Sequence, residues 1–177
     1  RGLGRVFVQT ALARGASRVY AAARQPEMID VAGATPIRLD VTLAEDALAA
    51  AGIARDVNLV VNNAGISVAG GVTSADGIAA LQRQYQTNCL GLLQIAHAFA
   101  PVLRANGGGA MVNMLSALSW INAPGIGGYC VSKAAAWGLT NALRNELRPQ
   151  GTLMVGVHAG FIDTDMARGY PGAKTAP

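Results

Sequence analysis

The sequence of 177 residues is poor in aromatic and charged side chains. Aromatic residues make up 5% of the chain and charged residues 14%, and the net charge is +4. The arginines are scattered and form no basic run, and few aromatic rings are available for stacking on bases. The composition therefore argues against a nucleic-acid-binding protein, whereas a modest positive charge suits a protein that binds a phosphorylated small molecule.

Metal ligands and long apolar runs are also scarce. The two cysteines, Cys89 and Cys130, and the two histidines, His97 and His158, have no metal-type spacing, so we expect no metal site and buried free thiols. No apolar run approaches the roughly 20 residues that span a bilayer, and no signal pattern stands at the N-terminus. We therefore expect a cytoplasmic protein without a membrane segment.

Strand-like and helix-like segments alternate along the chain. The predicted strands are residues 18–23, 36–41, 58–62, 110–115 and 152–158, and the predicted helices are residues 6–13, 43–51, 78–104 and 129–147. This alternation predicts one α/β domain over residues 1–177 with a doubly wound, Rossmann-type parallel sheet. Ser116 and Gly160 come just after strands, at the sheet edge where such folds bind ligands. Asn88 stands in the middle of the longest helix and predicts a kink or a water site there.

Ser116, Tyr129 and Lys133 bring a hydroxyl, a phenol and an amine into one loop-and-helix segment. Tyr129 and Lys133 stand four residues apart on the predicted helix, so their polar groups lie on one helical face. A nearby cation favours the phenolate and lowers the pKa of a tyrosine from its ordinary value of about 10. The three residues are a candidate proton-transfer site, although the Tyr/Lys spacing alone is also common between surface neighbours.

The N-terminal residues and the end of the first predicted strand suggest a dinucleotide site. Gly2 and Gly4 look like the end of a glycine-rich turn that enters a helix, which would let the backbone approach a pyrophosphate. After the strand at 18–23, Arg24 follows Ala23 where dinucleotide-binding folds meet the adenosine ribose. A carboxylate there would select NAD, whereas an arginine accommodates the 2′-phosphate of NADP. A solvated surface arginine is the alternative for Arg24 alone.

Four motifs resemble those of the short-chain dehydrogenase/reductase family in residue type, order and spacing, and they cover nearly the whole chain. They are residues 2–4 at the glycine-rich turn, Asn-Asn-Ala-Gly at 62–65, the set of Asn88, Ser116, Tyr129 and Lys133, and Gly-Phe-Ile-Asp-Thr at 160–164. The resemblance implies that a ketone or aldehyde is reduced, or an alcohol oxidised, with a nicotinamide cofactor.

The same resemblance implies a role for each site residue. Tyr129 would be the general acid in the reducing direction and the general base in the reverse. Lys133 would lower the tyrosine pKa and hold the nicotinamide ribose, Ser116 would hydrogen-bond the substrate carbonyl, and Asn88 would anchor a water that connects Lys133 to solvent. Besides Tyr129 and Lys133, the implied cofactor-binding residues are Arg1, Gly2, Leu3, Gly4, Arg24, Asp40, Val41, Asn63, Ala64, Gly65, Ile162 and Thr164.

Arg1 and Arg24 decide the expected cofactor. Members of the family that use NADP often carry a basic residue where Arg1 stands, and two basic residues can clamp a 2′-phosphate through charge-assisted hydrogen bonds. We therefore expect NADP(H). The substrate is expected to be a small apolar carbonyl or alcohol, because Trp120 and Ile121 suggest apolar walls near the site. The alternative is a non-catalytic dinucleotide-binding or scaffold protein on the same fold.

The sequence has no counterpart of the family's first and last strands. The first strand would lie between those at 18–23 and 58–62, so both would have unpaired backbone groups, and we expect the sequence to be part of a longer protein. Family members commonly pair the two long helices between subunits, so a homodimer or homotetramer is expected. The apolar residues that could serve either this interface or the core are Leu92, Ile95, Phe99, Leu139 and Leu143.

Overall fold

Helices and parallel strands alternate in the computed structural model, which describes residues 1–168 and 172–177. In chain order the elements are α1 (Gly2–Ala13), β1 (Val19–Ala23), β2 (Ala34–Arg38), α2 (Ala44–Ile53), β3 (Leu59–Asn62), α3 (Gly77–Tyr85), a π turn (Gln86–Leu90), α4 (Gly91–Ala105), β4 (Gly109–Met114), α5 (Gly127–Leu147) and β5 (Thr152–Val157). Each predicted strand and helix is present, and the bounds differ from those predicted by a few residues at most.

The strands form two parallel sheets in the described part of the chain. β1 pairs with β2, and β3, β4 and β5 pair in that order. Among the described residues no pairing joins β1 to β3, which are the two strands expected to lack a neighbour between them. The predicted α/β class with a Rossmann-type parallel arrangement is confirmed. Among the described residues β1 and β3 each have a strand on one side only, as expected for two strands without a neighbour between them.

The core lies on one face of the three-stranded sheet. Leu103 of α4, Met111 of β4 and Ala136 of α5 are fully buried there, and α2 packs against α4. Side chains alternate across a strand, so Leu59 and Leu153, which flank Ala110 in register, point to the opposite face. They are 51% and 62% exposed, respectively, so this second face of the sheet is apolar and open.

The long helix predicted over residues 78–104 is interrupted by the π turn Gln86–Leu90, and Asn88 lies within that turn. A π turn widens the helix by one residue and leaves backbone groups with altered partners. The predicted irregularity at Asn88 is therefore confirmed, and its form is a π turn.

The helix α1 begins at Gly2, four residues before the predicted start, so Leu3 and Gly4 belong to its first turn and not to a preceding loop. Gly2 has φ of 52°, a left-handed value that glycine adopts without strain. Arg1 precedes the helix and gives it no side-chain cap among the described residues. The first backbone N–H groups of α1 therefore stay available to a ligand.

The predicted irregular tail at residues 169–177 lies partly outside the described residues. Within the described part, Thr175 forms a parallel β-bridge with Ile162. This bridge ties the end of the chain to the segment that follows β5.

A close contact between Gly91 and Val41 should make the packing of α4 sensitive to a single methyl group. A Cβ added at Gly91 would lie 2.8 Å from Cγ2 of Val41 and 3.1 Å from its carbonyl oxygen. A β-branched side chain and a backbone atom yield little, so we expect Gly91→Ala to lower the free energy of unfolding by about 1–3 kcal/mol. Urea-induced unfolding measures the change.

Gly138 in α5 provides the matched control. A Cβ added there would meet no heavy atom within 4 Å, so Gly138→Ala should raise stability by about 0.5–1 kcal/mol through helix propensity alone. Equal effects of the two substitutions would show that the contact with Val41 does not restrict α4.

Candidate active site

Asn88 is buried, and its side chain connects three parts of the site. Its Oδ1 accepts from the Ile66 backbone N–H at 2.8 Å, and its Nδ2 donates to the Ile66 carbonyl at 2.9 Å and to Oγ of Ser132 at 2.9 Å. Ser132 in turn donates to the Tyr129 carbonyl at 2.7 Å. The amide therefore ties the loop after β3 to the first turns of α5. Both polar atoms of the Asn88 side chain have protein partners. The water expected at Asn88 stays a prediction.

Lys133 is buried beside that loop, and its ammonium points towards the end of β4. Nζ donates to the Met114 carbonyl at 2.7 Å, and a Cβ added at Gly65 would lie 3.6 Å from it. Burial disfavours the charged form and lowers the pKa of Lys133 from 10.5 to about 8. Lys133 is thus protonated at neutral pH, but it loses its proton more readily than an exposed lysine does.

Ser116 and Tyr129 meet at the end of β4. Ser116 precedes the short helix Ala117–Ser119, and its Oγ accepts from the Leu118 backbone N–H at 3.1 Å. The same side chain lies close enough to the Tyr129 phenol to lower the pKa of that phenol. The two hydroxyls are therefore neighbours in space, although 13 residues separate them along the chain.

The expected direction of the Tyr129 pKa shift was wrong for the free chain. Burial raises the pKa of Tyr129, and the interaction with the Ser116 side chain lowers that pKa by less. The Lys133 ammonium lies 5.8 Å from the centre of the tyrosine ring and bonds to Met114. Loss of hydration around the phenolate therefore outweighs the stabilisation expected from the neighbouring cation.

Three glycines of the predicted cofactor site lie against other predicted site residues. A Cβ on Gly2 would lie 3.6 Å from Cγ2 of Thr164, and a Cβ on Gly4 would lie 3.0 Å from Nδ2 of Asn63. A Cβ on Gly65 would lie 3.3 Å from Oδ1 of Asn88. The start of α1 is therefore lined by the loops after β3 and β5, in a cradle that side chains would fill, and these residues fit a bound dinucleotide.

Asp40 and Val41, which are among the predicted cofactor-binding residues, follow β2. Oδ1 of Asp40 accepts from the Thr42 hydroxyl at 2.7 Å and from its N–H at 2.9 Å. These hydrogen bonds hold the pKa of Asp40 below its usual value, with smaller contributions from the charges of Arg24 and Arg38. Arg24 thus lies near enough to Asp40 to affect its charge.

Of the other predicted cofactor residues, Arg1 and Leu3 lie at the start of α1, and Arg24 follows β1. Arg1 is 3.7 Å from Asp165, so it lies on the side of Thr164, whereas Arg24 lies on the side of Asp40. Leu3 is half-buried and Ala64 is exposed. Ile162 forms the bridge to Thr175. Arg1 and Arg24 therefore have different partners in the free chain, and a joint contact with one phosphate stays a prediction.

Similarity to known proteins agrees with this geometry. A family model described as short chain dehydrogenase matches residues 1–174. The chain belongs to the short-chain dehydrogenase family.

Relatives of known structure or function give the family membership more detail. A short-chain dehydrogenase of Burkholderia cenocepacia J2315, solved in complex with NADP, superposes with a TM-score of 0.95 at 36% identity, over 99% of this chain and 75% of that one. The oxidoreductase BOA17 of Botryotinia fuckeliana is 30% identical over 94% of this chain and 64% of its own length. A cyclohexanol dehydrogenase of Acinetobacter is 31% identical over 67% of this chain and 47% of its own length. The chain thus spans about half to two thirds of these two relatives.

Two expected absences can be compared with the described part of the chain. Within residues 1–168 and 172–177, no helix is both long and apolar enough to cross a membrane. The same residues contain no group of three or more candidate metal ligands. The two cysteines are free and buried, as expected.

Several residues of the site were missed by sequence reasoning. Ser132 and Ile66 complete the Asn88 network, and the Met114 carbonyl holds Lys133. The backbone groups carry no side-chain signal, so only the fold reveals them. His158 was rejected as a metal ligand, yet its Nδ1 lies 3.0 Å from the Ser116 carbonyl oxygen. Its place just after β5, beside the predicted ligand-binding edge, is the signal that could have found it.

A cavity of about 380 Å³ flanks the site between the loop after β3 and the start of α3. Gly128, next to Tyr129, is one of its walls. The hydroxyl of Ser116 and the ammonium of Lys133 are not among its described walls. The cavity therefore lies to one side of the hydroxyl pair.

The buried ammonium predicts a pH dependence of stability. The folded-state pKa of Lys133 is about 8, against 10.5 in the unfolded chain. Between these values the unfolded chain binds one more proton, so the lysine's contribution to the free energy of unfolding rises with pH. We expect the stability of the unmodified chain to rise relative to that of Lys133→Met by about 2–3 kcal/mol between pH 7 and pH 10.

Urea-induced unfolding at both pH values measures this difference. Lys174→Met removes the only other lysine and should keep the pH profile of the unmodified chain. Parallel profiles for the unmodified chain and Lys133→Met would contradict the depressed pKa.

Proposed function

We propose that the chain is an NADP(H)-dependent oxidoreductase that reduces a small apolar ketone or aldehyde, or oxidises the corresponding alcohol. The observation that carries this proposal is the proximity of the Ser116 side chain to the Tyr129 phenol, with the ammonium of the buried Lys133 5.8 Å from the centre of the tyrosine ring. A carbonyl oxygen placed between the two hydroxyls would receive a hydrogen bond from each. The family membership and the glycine contacts around α1 support a dinucleotide next to them.

Bound NADPH would supply the hydride for the reduction. Ser116 would donate a hydrogen bond to the substrate oxygen as negative charge develops on it. Tyr129 would give its phenolic proton to the same oxygen, and in the reverse direction it would remove that proton. The raised pKa of the free tyrosine keeps it protonated at neutral pH, which is the form that a reduction needs.

Lys133 supports the proton transfer through its charge. Below about pH 8 it is mostly protonated, and a cation stabilises the phenolate that forms when Tyr129 loses its proton. Its ammonium has three donors, of which Met114 takes one. The remaining donors could bind the nicotinamide ribose. The network through Asn88 and Ser132 holds the first turns of α5, and with them both catalytic side chains.

The preference for NADP rests on positive charge near the ribose site and on one structural relative. Arg24 follows β1 directly, and Ala23 leaves no carboxylate there to repel a phosphate. The Burkholderia protein solved with NADP is 36% identical to this chain. Arg1 would add a second cation if a 2′-phosphate drew it away from Asp165.

The apolar substrate class rests on two exposed side chains near the hydroxyl pair. Trp120 and Ile121 follow the short helix that begins after Ser116, and they are 58% and 62% exposed. Apolar surface of this size favours a partner that is itself apolar. One relative is a cyclohexanol dehydrogenase, 31% identical over 118 residues, and its named substrate is an alicyclic alcohol. A cytoplasmic location stays a prediction.

Removal of the phenolic hydroxyl tests the proposed mechanism. We expect Tyr129→Phe to lower the rate of carbonyl-dependent NADPH consumption by about 10²–10⁴-fold, because no other group replaces the general acid. NADPH affinity, measured by fluorescence titration, should stay within a few-fold. Tyr20→Phe is the matched control, because the Tyr20 hydroxyl bonds the exposed Asp56 on the surface. Turnover by Tyr129→Phe at the rate of the unmodified chain would contradict the mechanism.

Substitution of Arg24 tests the choice of cofactor. The unmodified chain should use NADPH with higher kcat/KM than NADH, and Arg24→Asp should erase or reverse this ratio, because a carboxylate repels the 2′-phosphate and accepts from a 2′-hydroxyl. Arg14→Asp makes the same charge change at the far end of α1 and should leave the ratio unaltered. Equal use of the two cofactors by the unmodified chain would refute the preference.

We also propose that copies of the chain associate through the long helices. Of the residues considered for this interface, Leu92, Ile95, Phe99 and Leu143 are buried in the core, and Leu139 packs against it. The large apolar side chains left exposed on these helices are instead Ile78, Tyr85, Leu93, Val131 and Trp137. Light scattering at micromolar concentration should give a dimer or tetramer, and a monomer would count against the proposal.

A further inference from the structure

Three aromatic rings form one cluster beside Ser116. The indole of Trp120 stacks on the His158 imidazole, with ring centres 3.8 Å apart and planes at 17°. The edge of Trp137 meets both rings, with centres 6.1 Å from Trp120 and 5.9 Å from His158. The cluster joins three elements of the site, because His158 follows β5, Trp120 follows the short helix after β4, and Trp137 belongs to α5.

The imidazole of His158 also reaches the backbone of Ser116. Its Nδ1 lies 3.0 Å from the Ser116 carbonyl oxygen. A carbonyl oxygen only accepts, so Nδ1 carries the hydrogen and donates it. The same oxygen accepts from the Ser119 backbone N–H at 2.9 Å. Both lone pairs of the oxygen are therefore used, one within the short helix and one by the side chain that follows β5.

We propose that His158 is a positioning residue for Ser116, held in place by its stack with Trp120. This inference rests on the proposed function for the role of Ser116. The His158 hydrogen bond fixes the backbone of Ser116 relative to β5, and the stack restricts the imidazole to the rotamer that reaches it. With its backbone fixed, Ser116 presents Oγ to the Tyr129 phenol and to the substrate oxygen.

Two substitutions separate the hydrogen bond from the ring. His158→Phe keeps a ring for Trp120 and removes the donor, whereas His158→Asn removes the ring and keeps an N–H donor close to the place of Nδ1. We expect His158→Phe to lower kcat by about 10- to 100-fold, because small displacements of a catalytic group have large effects on rate. The KM for NADPH should not change. His158→Asn should keep kcat within a few-fold.

A purely structural role would give different results in two further measurements. In a Ser116→Ala background, His158→Phe should lower kcat no further, because a positioning residue acts only through the residue that it positions. In the unliganded chain, the Leu118 amide donates to Oγ of Ser116. Its hydrogen exchange should therefore be faster in His158→Phe, and exchange in β1 and β2 should be unchanged.

Fluorescence checks the stack independently, since the chain's two tryptophans both lie in the cluster. Emission should change in His158→Asn and stay close to that of the unmodified chain in His158→Phe.

The inference is overturned if His158→Phe keeps the kcat and the Leu118 exchange rate of the unmodified chain. It is also overturned if His158→Asn is as slow as His158→Phe, or if the Ser116→Ala background leaves the effect of His158→Phe unchanged. Failure of the proposed function is a different outcome, in which the unmodified chain consumes no NADPH with any carbonyl. Hydrogen exchange of the unliganded variants would then still decide whether His158 holds Ser116.

Discussion

The buried amide of Asn88 is the constraint on which the site depends. Its three hydrogen bonds reach the backbone of Ile66 and the hydroxyl of Ser132, so one side chain fixes a loop and a helix that the sheet alone would leave independent. The π turn makes this possible, because it displaces the helix backbone at the position where the amide points inward. A regular α-helix through Asn88 would direct this side chain differently. The π turn in the helix therefore allows the hydrogen bonds that hold the site together.

The burial that orders the site also sets its electrostatics. Desolvation lowers the pKa of Lys133 and raises the pKa of Tyr129, so both groups favour their neutral forms more than in water. Because water hydrates neither ion well in this site, a phenolate that forms on Tyr129 depends on the nearby ammonium of Lys133 for its stabilisation. The Met114 carbonyl is the direct partner of the ammonium. Its lone pair keeps the lysine oriented without neutralising its charge.

Sequence reasoning predicted the strands and the helices, because these depend on periodicity. Helical spacing predicted only that Tyr129 and Lys133 share a face, and the family resemblance added Ser116 to them. It placed Gly2 and Gly4 near the other cofactor residues through the family resemblance, and their contacts with Thr164 and Asn63 agree. It could not reveal the partners of Asn88 and Lys133, because backbone carbonyls look alike in any sequence. It gave the wrong direction for the Tyr129 pKa, since the spacing of Lys133 shows a neighbouring charge but not the degree of burial. His158 was overlooked for a related reason, because its role depends on the position of Ser116, 42 residues away.

The start of α1 shows why an anion suits this site even in the free chain. The positive end of a helix dipole usually attracts acidic residues, yet the first turn of α1 contains none, and Arg1 and Arg5 stand there instead. Arg1 pairs with Asp165 and Arg5 with Asp30, carboxylates that come from the segment after β5 and the loop between β1 and β2. All four side chains are substantially exposed, and ion pairs exposed to water contribute little to stability. The protein's own carboxylates therefore hold the two arginines only weakly, and no side chain in the described part of the chain caps the first N–H groups of the helix. A pyrophosphate that entered the cradle would bring its charges to the same positive helix end, with little to displace.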